Sequence, residues 1–260
     1  MEISPARNTG ILISGVVNIG AQHRAVKHHK PRNADFEELY SAVRTYEKKV
    51  YTDAQLAALP DFSIYSKEWE IRRRSSNRLL AYLGKKRKFL KILEVGCGNG
   101  WLSAKMAGLP QTYVTGLDIN MAEIRQAMRV FRMPNLDFTC DAFNENTFDK
   151  ERFDVIVFAA SLQYFPSLVS VLRLAERLLN RGGEIHIIDT PFYDADAAII
   201  AAERCRNYYK DMGIPEMADH YFHHSISEFW GFKYKILFDP TGLLNRLFKK
   251  DPFYWIAITK

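Results

Sequence analysis

The sequence predicts an α/β protein: a mostly parallel sheet wound with helices on both faces. Two observations carry that expectation. From Lys91 onward, short apolar or β-branched runs alternate with helical stretches. Several runs, DVIVFAA at 154–160 among them, are apolar throughout, as happens when helices cover both faces of a parallel sheet.

Residues 1–34 carry Pro5, Pro31 and scattered histidines without periodicity and are expected to form a loosely packed arm. DFEELYSAVRTYEKKVYTDAQLAAL then reads as helical, with Phe36, Leu39, Val43 and Tyr46 on one face, until Pro60 breaks the chain. SKEWEIRRRSSNRLLAYLG reads as a second helix, closed by Gly84. Strands are expected at KILEVG, TYVTGLD (112–118), LDFTC (136–140), DVIVFAA, EIHIID (184–189), KYKILFD (233–239) and FYWIAITK (253–260). Helices are expected at WLSAKMAGL, MAEIRQAMRVF, SLVSVLRLAERLLN and DADAAIIAAERCRNYYKDMG. The last two strands have only PTGLLNRLFKKDP between them, which suits a terminal antiparallel hairpin. The organisation expected is an N-terminal arm and helix over 1–60 and one domain over 61–260. Within that domain, 61–84 would be a lid helix and 190–231 a substrate-side insert.

The 47% hydrophobic content is ordinary for a globular protein. No apolar run reaches the roughly 18–20 residues that a membrane span needs, and ILISGVVNIG is not read as a signal peptide. Cys97, Cys140 and Cys205 are widely spaced and form no CxxC pair, which argues for a reducing, cytoplasmic setting and against a structural zinc site. Residues 1–90 hold 17 basic and 9 acidic residues, whereas residues 91–260 hold 19 and 21. The excess positive charge is therefore N-terminal, densest in IRRRSSNR and GKKRKFLK. A solvated helix face is the plain reading of it, and a nucleic-acid surface the alternative.

The chemistry concentrates at KILEVGCGNGW. Ligands of an open parallel sheet bind beyond the C-terminal ends of its strands. Gly96 permits the turn there, while Gly98 and Gly100 remove side chains where a ligand would approach the backbone. The spacing is GxGxG, not the GxGxxG of a pyrophosphate cradle. Asp118 ends the second strand, where a carboxylate can accept both hydroxyls of a ribose or cap the next helix. Asp141 ends the third strand and can accept an adenine amine while the Ala142 amide donates to a ring nitrogen.

LEVGCGNG, the acid of GLDIN, the DA at 141–142, FDVIVFAASLQYF and LLNRGGEIHIID together resemble the class I S-adenosylmethionine-dependent methyltransferases, over about residues 61–260. The resemblance implies a Rossmann-like seven-stranded sheet of order 3-2-1-4-5-7-6, with the last placed strand antiparallel, and S-adenosylmethionine as cofactor. It places Glu94 and Gly96 near the methionine part, with Cys97 and Gly98 in the same turn. Asp118 would bind the ribose, Ile119 would face the adenine, and Asp141 and Ala142 would lie at its amine edge. Ser161 and Gln163 would line the meeting place of cofactor and acceptor.

The cofactor carries an ammonium, a sulfonium and a carboxylate. Acids near the glycine turn suit the first, and Arg72, Arg73 or Arg74 could hold the last, with Trp69 as a lid residue. Transfer from a sulfonium is an in-line displacement that mainly needs alignment and exclusion of water. A base is needed only where the acceptor is protonated. His220, His223, His224, Tyr164 and Asp189 are candidates, with His224, His223 and Tyr164 favoured as catalytic. The three histidines could share a helix face and bind a metal, but no carboxylate stands at useful spacing and no metal is assigned. Phe192, Tyr193, Tyr208, Tyr209, Tyr221, Phe222, Phe229 and Trp230 would divide between helix core and the wall of an acceptor pocket.

A small-molecule acceptor methylated at O, N or C is expected. Nucleic acid or protein is the rival class, although ASLQYF replaces the NPPY-like stretch of base-amine methylation and no Pro-Cys pair occurs. A nicotinamide oxidoreductase would want GxGxxG, and a non-catalytic cofactor-binding subunit would keep every motif.

Overall fold

Seven strands form a single sheet in the computed structural model, which describes residues 34–61, 66–149, 151–242, 245 and 251–260. The arm expected over 1–34 thus falls outside the described residues, but for Ala34. Three helices, α1 (Ala34–Tyr46), α2 (Asp53–Ala57) and α3 (Ser66–Gly84), precede β1 (Leu90–Val95). Then follow α4 (Trp101–Ala107), β2 (Thr112–Asp118), α5 (Met121–Val130), β3 (Leu136–Cys140), β4 (Phe153–Ala159), α6 (Leu168–Leu178) and β5 (Leu179–Ile188). After α7 (Ala195–Asp211) come β6 (Tyr234–Phe238) and β7 (Trp255–Thr259). The order is β3-β2-β1-β4-β5-β7-β6. β1 pairs in parallel with both β2 and β4, so the strand order reverses beside β1. β7 runs antiparallel to β5 and β6, giving the expected terminal hairpin.

The apolar runs are apolar because both sheet faces are covered. Successive strand residues point to opposite faces, and Ile92 and Leu93 are both fully buried, each in a different core. Leu93, Phe158 and Ile187 pack with Leu168, Leu172 and Ala175 of α6. Ile92, Val114 and Val157 pack with Leu79 and Leu83 of α3 and Leu102 and Met106 of α4. Each such side chain contributes roughly 1.5–3 kcal/mol by leaving water.

Three expectations need correction. The helix read over 35–59 is two: Lys48 turns the chain with a φ of 56°, and Thr52 caps α2 in a reciprocal capping box with Gln55. Tyr46, placed on one face with Val43, does not share its burial and is 59% exposed. α6 stops at Leu178, two residues early, and β5 takes up Asn180 to Gly183. There the β4–β5 register is irregular and Gly182 has a φ of 72°.

The basic cluster on α3 is mostly engaged internally. Arg74 Nε and an Arg78 guanidinium nitrogen each donate to Asp251 at 2.6 Å, and Arg78 also lies over the Phe238 ring. Asp251 is 5% exposed, so α3 is bound to the β6–β7 connection through a buried carboxylate. Asp251→Ala should cost about 1–3 kcal/mol, because two guanidiniums, each about a third exposed, lose their shared partner. Thermal unfolding should show a drop of several degrees.

Candidate functional site

The C-terminal ends of β1 to β4 meet at the glycine turn. Gly96 and Cys97 donate their N–H groups to the Leu117 carbonyl, at 2.8 and 3.0 Å, which ties the turn to β2. A Cβ on Gly96 would lie 2.5 Å from Ser161 Cβ, and Ser161 Oγ donates to the Val95 carbonyl at 2.6 Å. Glycine is required at 96 because the ends of β1 and β4 converge there, and its φ is 73°. A Cβ on Gly98 would meet a Glu123 carboxylate oxygen at 2.6 Å. The expectation that Gly100 clears space for a ligand is corrected: the Phe138 ring lies 2.5 Å from where its Cβ would stand.

Asp118 staples this turn. One carboxylate oxygen accepts from the Gly98 N–H at 2.7 Å and the other from the Asn120 N–H at 2.8 Å. The cap of α5 is Asn120, not Asp118, since its side chain accepts from the Glu123 N–H. Each Asp118 oxygen keeps capacity for a further donor. Asp141 follows β3, and its own Oδ1 receives the Ala142 N–H at 2.7 Å. Ile119 lies between Asp118 and the cap, its carbonyl accepting a weak bond from the Cys140 thiol.

Carboxyl groups crowd this rim. Burial pushes Glu94 up to about 8, although Ser103 Oγ donates to it. Burial likewise lifts Glu123 to about 7 against the opposing pull of Arg44, 3.6 Å away, and raises Asp118. The buried Cys97 thiol is pushed up by desolvation and then by the acids beside it. A site of this kind favours an incoming positive charge.

α1 supplies residues that the sequence reading did not place here. Glu37 accepts from the Met121 N–H at 2.9 Å, Asn120 donates to Ser41 Oγ, and Arg44 faces Glu123. The readable signal was three acids, at 94, 118 and 123, close to the glycine turn in sequence. Which distant arginine answers them is a matter of tertiary packing.

Beside the rim lies a cavity of about 670 Å³. Ala160, Gln163 and Asp189, from the ends of β4 and β5, form part of its wall. Ile71, Pro191, Tyr221 and Phe253 supply apolar surface, and Lys49, Glu68 and Arg72 supply charge. Of the three arginines considered, Arg72 alone lines this cavity; Arg73 faces Asp61 and Arg74 holds Asp251. Arg72 donates to Glu68 at 3.0 Å and stacks over Trp69. Trp69 is not a lid: it is buried, donates to the Tyr51 hydroxyl and packs edge-on against Trp101.

The favoured catalytic side chains do not converge on this cavity. His224 is buried, with Nε2 3.1 Å from the Leu162 carbonyl and Nδ1 3.6 Å from Glu228, so both ring nitrogens face protein groups. His223 sits between the Tyr193 and Tyr221 rings, and burial lowers its pKa. Tyr164 packs edge-on with Phe36, Tyr40 and Tyr221, and burial lifts its hydroxyl to about 12. His220 ends a 3-10 turn, Pro215–His220, and the chain after it is irregular, so the three histidines share no helix face. Among the described residues no three His, Cys, Asp or Glu side chains gather to hold a metal. Of the eight aromatic residues expected to divide between helix core and pocket wall, Tyr221 alone lines this cavity. Phe229 and Tyr209 are core, Trp230 is 91% exposed, and the Tyr208 hydroxyl donates to Glu47.

Residues 92–183, from β1 into β5, match the family model described as a methyltransferase domain. This segment, about a third of the chain, is similar to that family. A phthiotriol/phenolphthiotriol dimycocerosates methyltransferase of Mycobacterium tuberculosis is 34% identical over 95 residues, 36% of this chain and 35% of that protein. A ubiquinone biosynthesis O-methyltransferase of Pseudomonas putida is 33% identical over 100 residues, 36% of this chain and 42% of the relative. The chain thus spans well under half the length of the curated relatives it matches. Among solved structures, the plantazolicin methyltransferase BpumL in complex with SAH superposes with a TM-score of 0.53 at 17% identity, over 87% of this chain and 96% of that one. BamL, with a triazolic desmethylPZN analog and SAH, gives 0.52 at 14% over 87% and 94%. These likenesses show that the chain shares their fold. Its glycine turn, Asp118, Asp141 and Ser161 all lie within residues 92–183, whereas Arg44, Arg72 and Asp189 come from outside them.

Proposed function

We propose that this protein is an S-adenosylmethionine-dependent methyltransferase acting on a small molecule. The observation that carries the reading is the crowd of carboxyls at the glycine turn: buried Glu94, lifted to about 8, and partly buried Glu123, lifted to about 7, both under the pull of Arg72, with Arg44 beside Glu123. A ligand bringing an ammonium and a sulfonium satisfies Glu94 and Glu123, and its carboxylate suits the guanidinium of Arg72. Asp118 has spare acceptor capacity for a ribose, Ile119 offers an apolar face, and Asp141 with Ala142 suits the adenine edge. For the Ala142 amide to donate outward, Asp141 must release it. Gly96, Cys97 and Gly98 shape the turn, and Ser161 with Gln163 borders the acceptor side.

The bound cofactor supplies an activated methyl group. The chain's own task is to align an acceptor from the 670 Å³ cavity with it and keep water out. His223, His224 and Tyr164 support the cavity wall in this reading rather than move protons. The buried, uncrosslinked Cys97, with Cys140 and Cys205 also free, supports a cytoplasmic setting. Among the described residues no helix is long and apolar enough to cross a membrane.

Calorimetry with S-adenosylmethionine, its demethylated product SAH, and NAD tests the cofactor: the first two should bind and NAD should not. Transfer of labelled methyl into a metabolite extract tests turnover, and transfer into RNA instead would overturn the acceptor class. Arg72→Ala should weaken cofactor binding 10- to 100-fold, the equivalent of losing one charged hydrogen-bonded pair. Unchanged affinity would remove Arg72 from the carboxylate role.

A further inference from the structure

Two oxygens at the cavity wall have no hydrogen-bond partner among the described residues: Gln163 Oε1 and Asp189 Oδ1. Both side chains are more than nine-tenths buried. Their other polar atoms are held, since Gln163 Nε2 donates to the Ala160 carbonyl at 2.7 Å and Ser75 Oγ donates to Asp189 Oδ2 at 2.9 Å. Each is thus fixed at one end with an acceptor left over, and an unsatisfied buried acceptor costs about 1–3 kcal/mol. The backbone adds a second sign. Ala160 and Asp189, the first residues past the adjacent strands β4 and β5, have φ values of 53° and 55°. Non-glycine residues held in that region cluster at functional sites.

We propose that Gln163 and Asp189 form the acceptor subsite, and that they select a substrate whose methylated atom carries a hydrogen, an O–H or N–H group on a flat, largely apolar body. The inference rests on the methyltransferase reading above. The two oxygens lie just beneath the wall, and a partial turn about their terminal torsions, which are broad for carboxylates and carboxamides, would bring them to the lumen while straining the Ala160 and Ser75 contacts. Asp189 is then the base. The acceptor's O–H or N–H bond breaks, its proton passes to Asp189, and the freed electron pair bonds to the methyl carbon. The methyl–sulfur bond electrons leave with the thioether product. Ile71, Pro191, Tyr221 and Phe253 enclose the apolar body.

The electrostatic setting agrees. Burial lifts Asp189 to about 6, opposed by Arg72, Ser75 and Arg78 of α3 and reinforced by Asp251. Lys49, Lys67 and Glu68 are the other charged groups at this cavity. Such a carboxyl is largely ionised at pH 7.5 yet basic enough to accept a proton.

The test compares matched probes: catechol against 1,2-dimethoxybenzene, and 2-naphthol against 2-methoxynaphthalene. Binding is measured by calorimetry at pH 7.5, with and without SAH. At least one hydroxyl compound should bind tenfold or more tightly than its methyl ether. Asp189→Asn keeps the Ser75 contact and tolerates the left-handed backbone. It should reduce that preference at least threefold, and adding Gln163→Leu should bring it within twofold. With labelled cofactor, Asp189→Asn should slow transfer to the preferred probe at least 100-fold, and the acid limb of the wild-type rate near pH 6 should vanish. SAH affinity should stay within twofold of wild type. Equal binding of both members of each pair, or an Asp189→Asn protein within threefold of wild type in preference and rate, overturns the proposal. Absence of SAH binding counts against the cofactor reading instead, because the probe preference is read separately.

Discussion

Gly96→Ala should lower stability by about 2–5 kcal/mol and weaken SAH binding at least 100-fold. The left-handed backbone costs an alanine about 1–2 kcal/mol, and overpacking adds about 1–3 kcal/mol. The neighbour it strikes, Ser161 Cβ at 2.5 Å, cannot swing aside, since that atom is fixed to the backbone at the end of β4. Urea unfolding and SAH calorimetry give the two readings. Gly182→Ala is the control: its φ of 72° is equally left-handed, but nothing lies within 4 Å of the added carbon. It should lose only the conformational part and bind SAH normally. If both variants bound SAH like wild type, the convergence of β1 and β4 would have no part in the site.

Glu94→Gln should move stability and binding in opposite directions. The folded-state value of about 8 stands above the ordinary 4.5, so the folded protein holds a proton that the unfolded chain gives up. The stability this group contributes is complete below about pH 4.5 and is lost as pH rises through 8. Glutamine, neutral throughout, keeps the Ser103 contact and avoids that loss. The variant should therefore unfold within about 1 kcal/mol of wild type at pH 5 and be more stable by on the order of 1–3 kcal/mol at pH 8.5. S-adenosylmethionine should nevertheless bind it 10- to 100-fold more weakly at pH 8, where wild type offers a carboxylate to the cationic tail. A variant no more stable than wild type at pH 8.5 would show that burial does not govern this carboxyl.

The sheet was legible because its signals are local. Apolar runs such as VIVF at 155–158 mark covered strands, and the GxGxG turn marks the end of β1. Asp118 and Asp141 were expected at the ends of the second and third strands, and they stand there; Ser161 came through the family resemblance. What escaped depends on where distant segments dock. Arg72 could not be told from Arg73 and Arg74 by composition, because only the seat of α3 turns one towards the cavity and another onto Asp251. His224 has the residue type of a base, yet its ring nitrogens are engaged by Leu162 and Glu228, contacts no spacing rule foretells. The break after Tyr46 was readable in principle, since Thr52 and Gln55 stand at the capping-box offset.

The anchoring of α1 sets where a shortened version of this chain could begin. A truncation at residue 61 would keep all seven strands and the whole segment 92–183. It would discard Arg44, the guanidinium facing Glu123, and Glu37, which receives the Met121 amide at the head of α5. Stripped of that counter-charge, Glu123 would hold its proton more firmly, and the rim would lose part of its attraction for a cation. The working unit is delimited by charge balance, and it reaches further towards the N-terminus than the strands do.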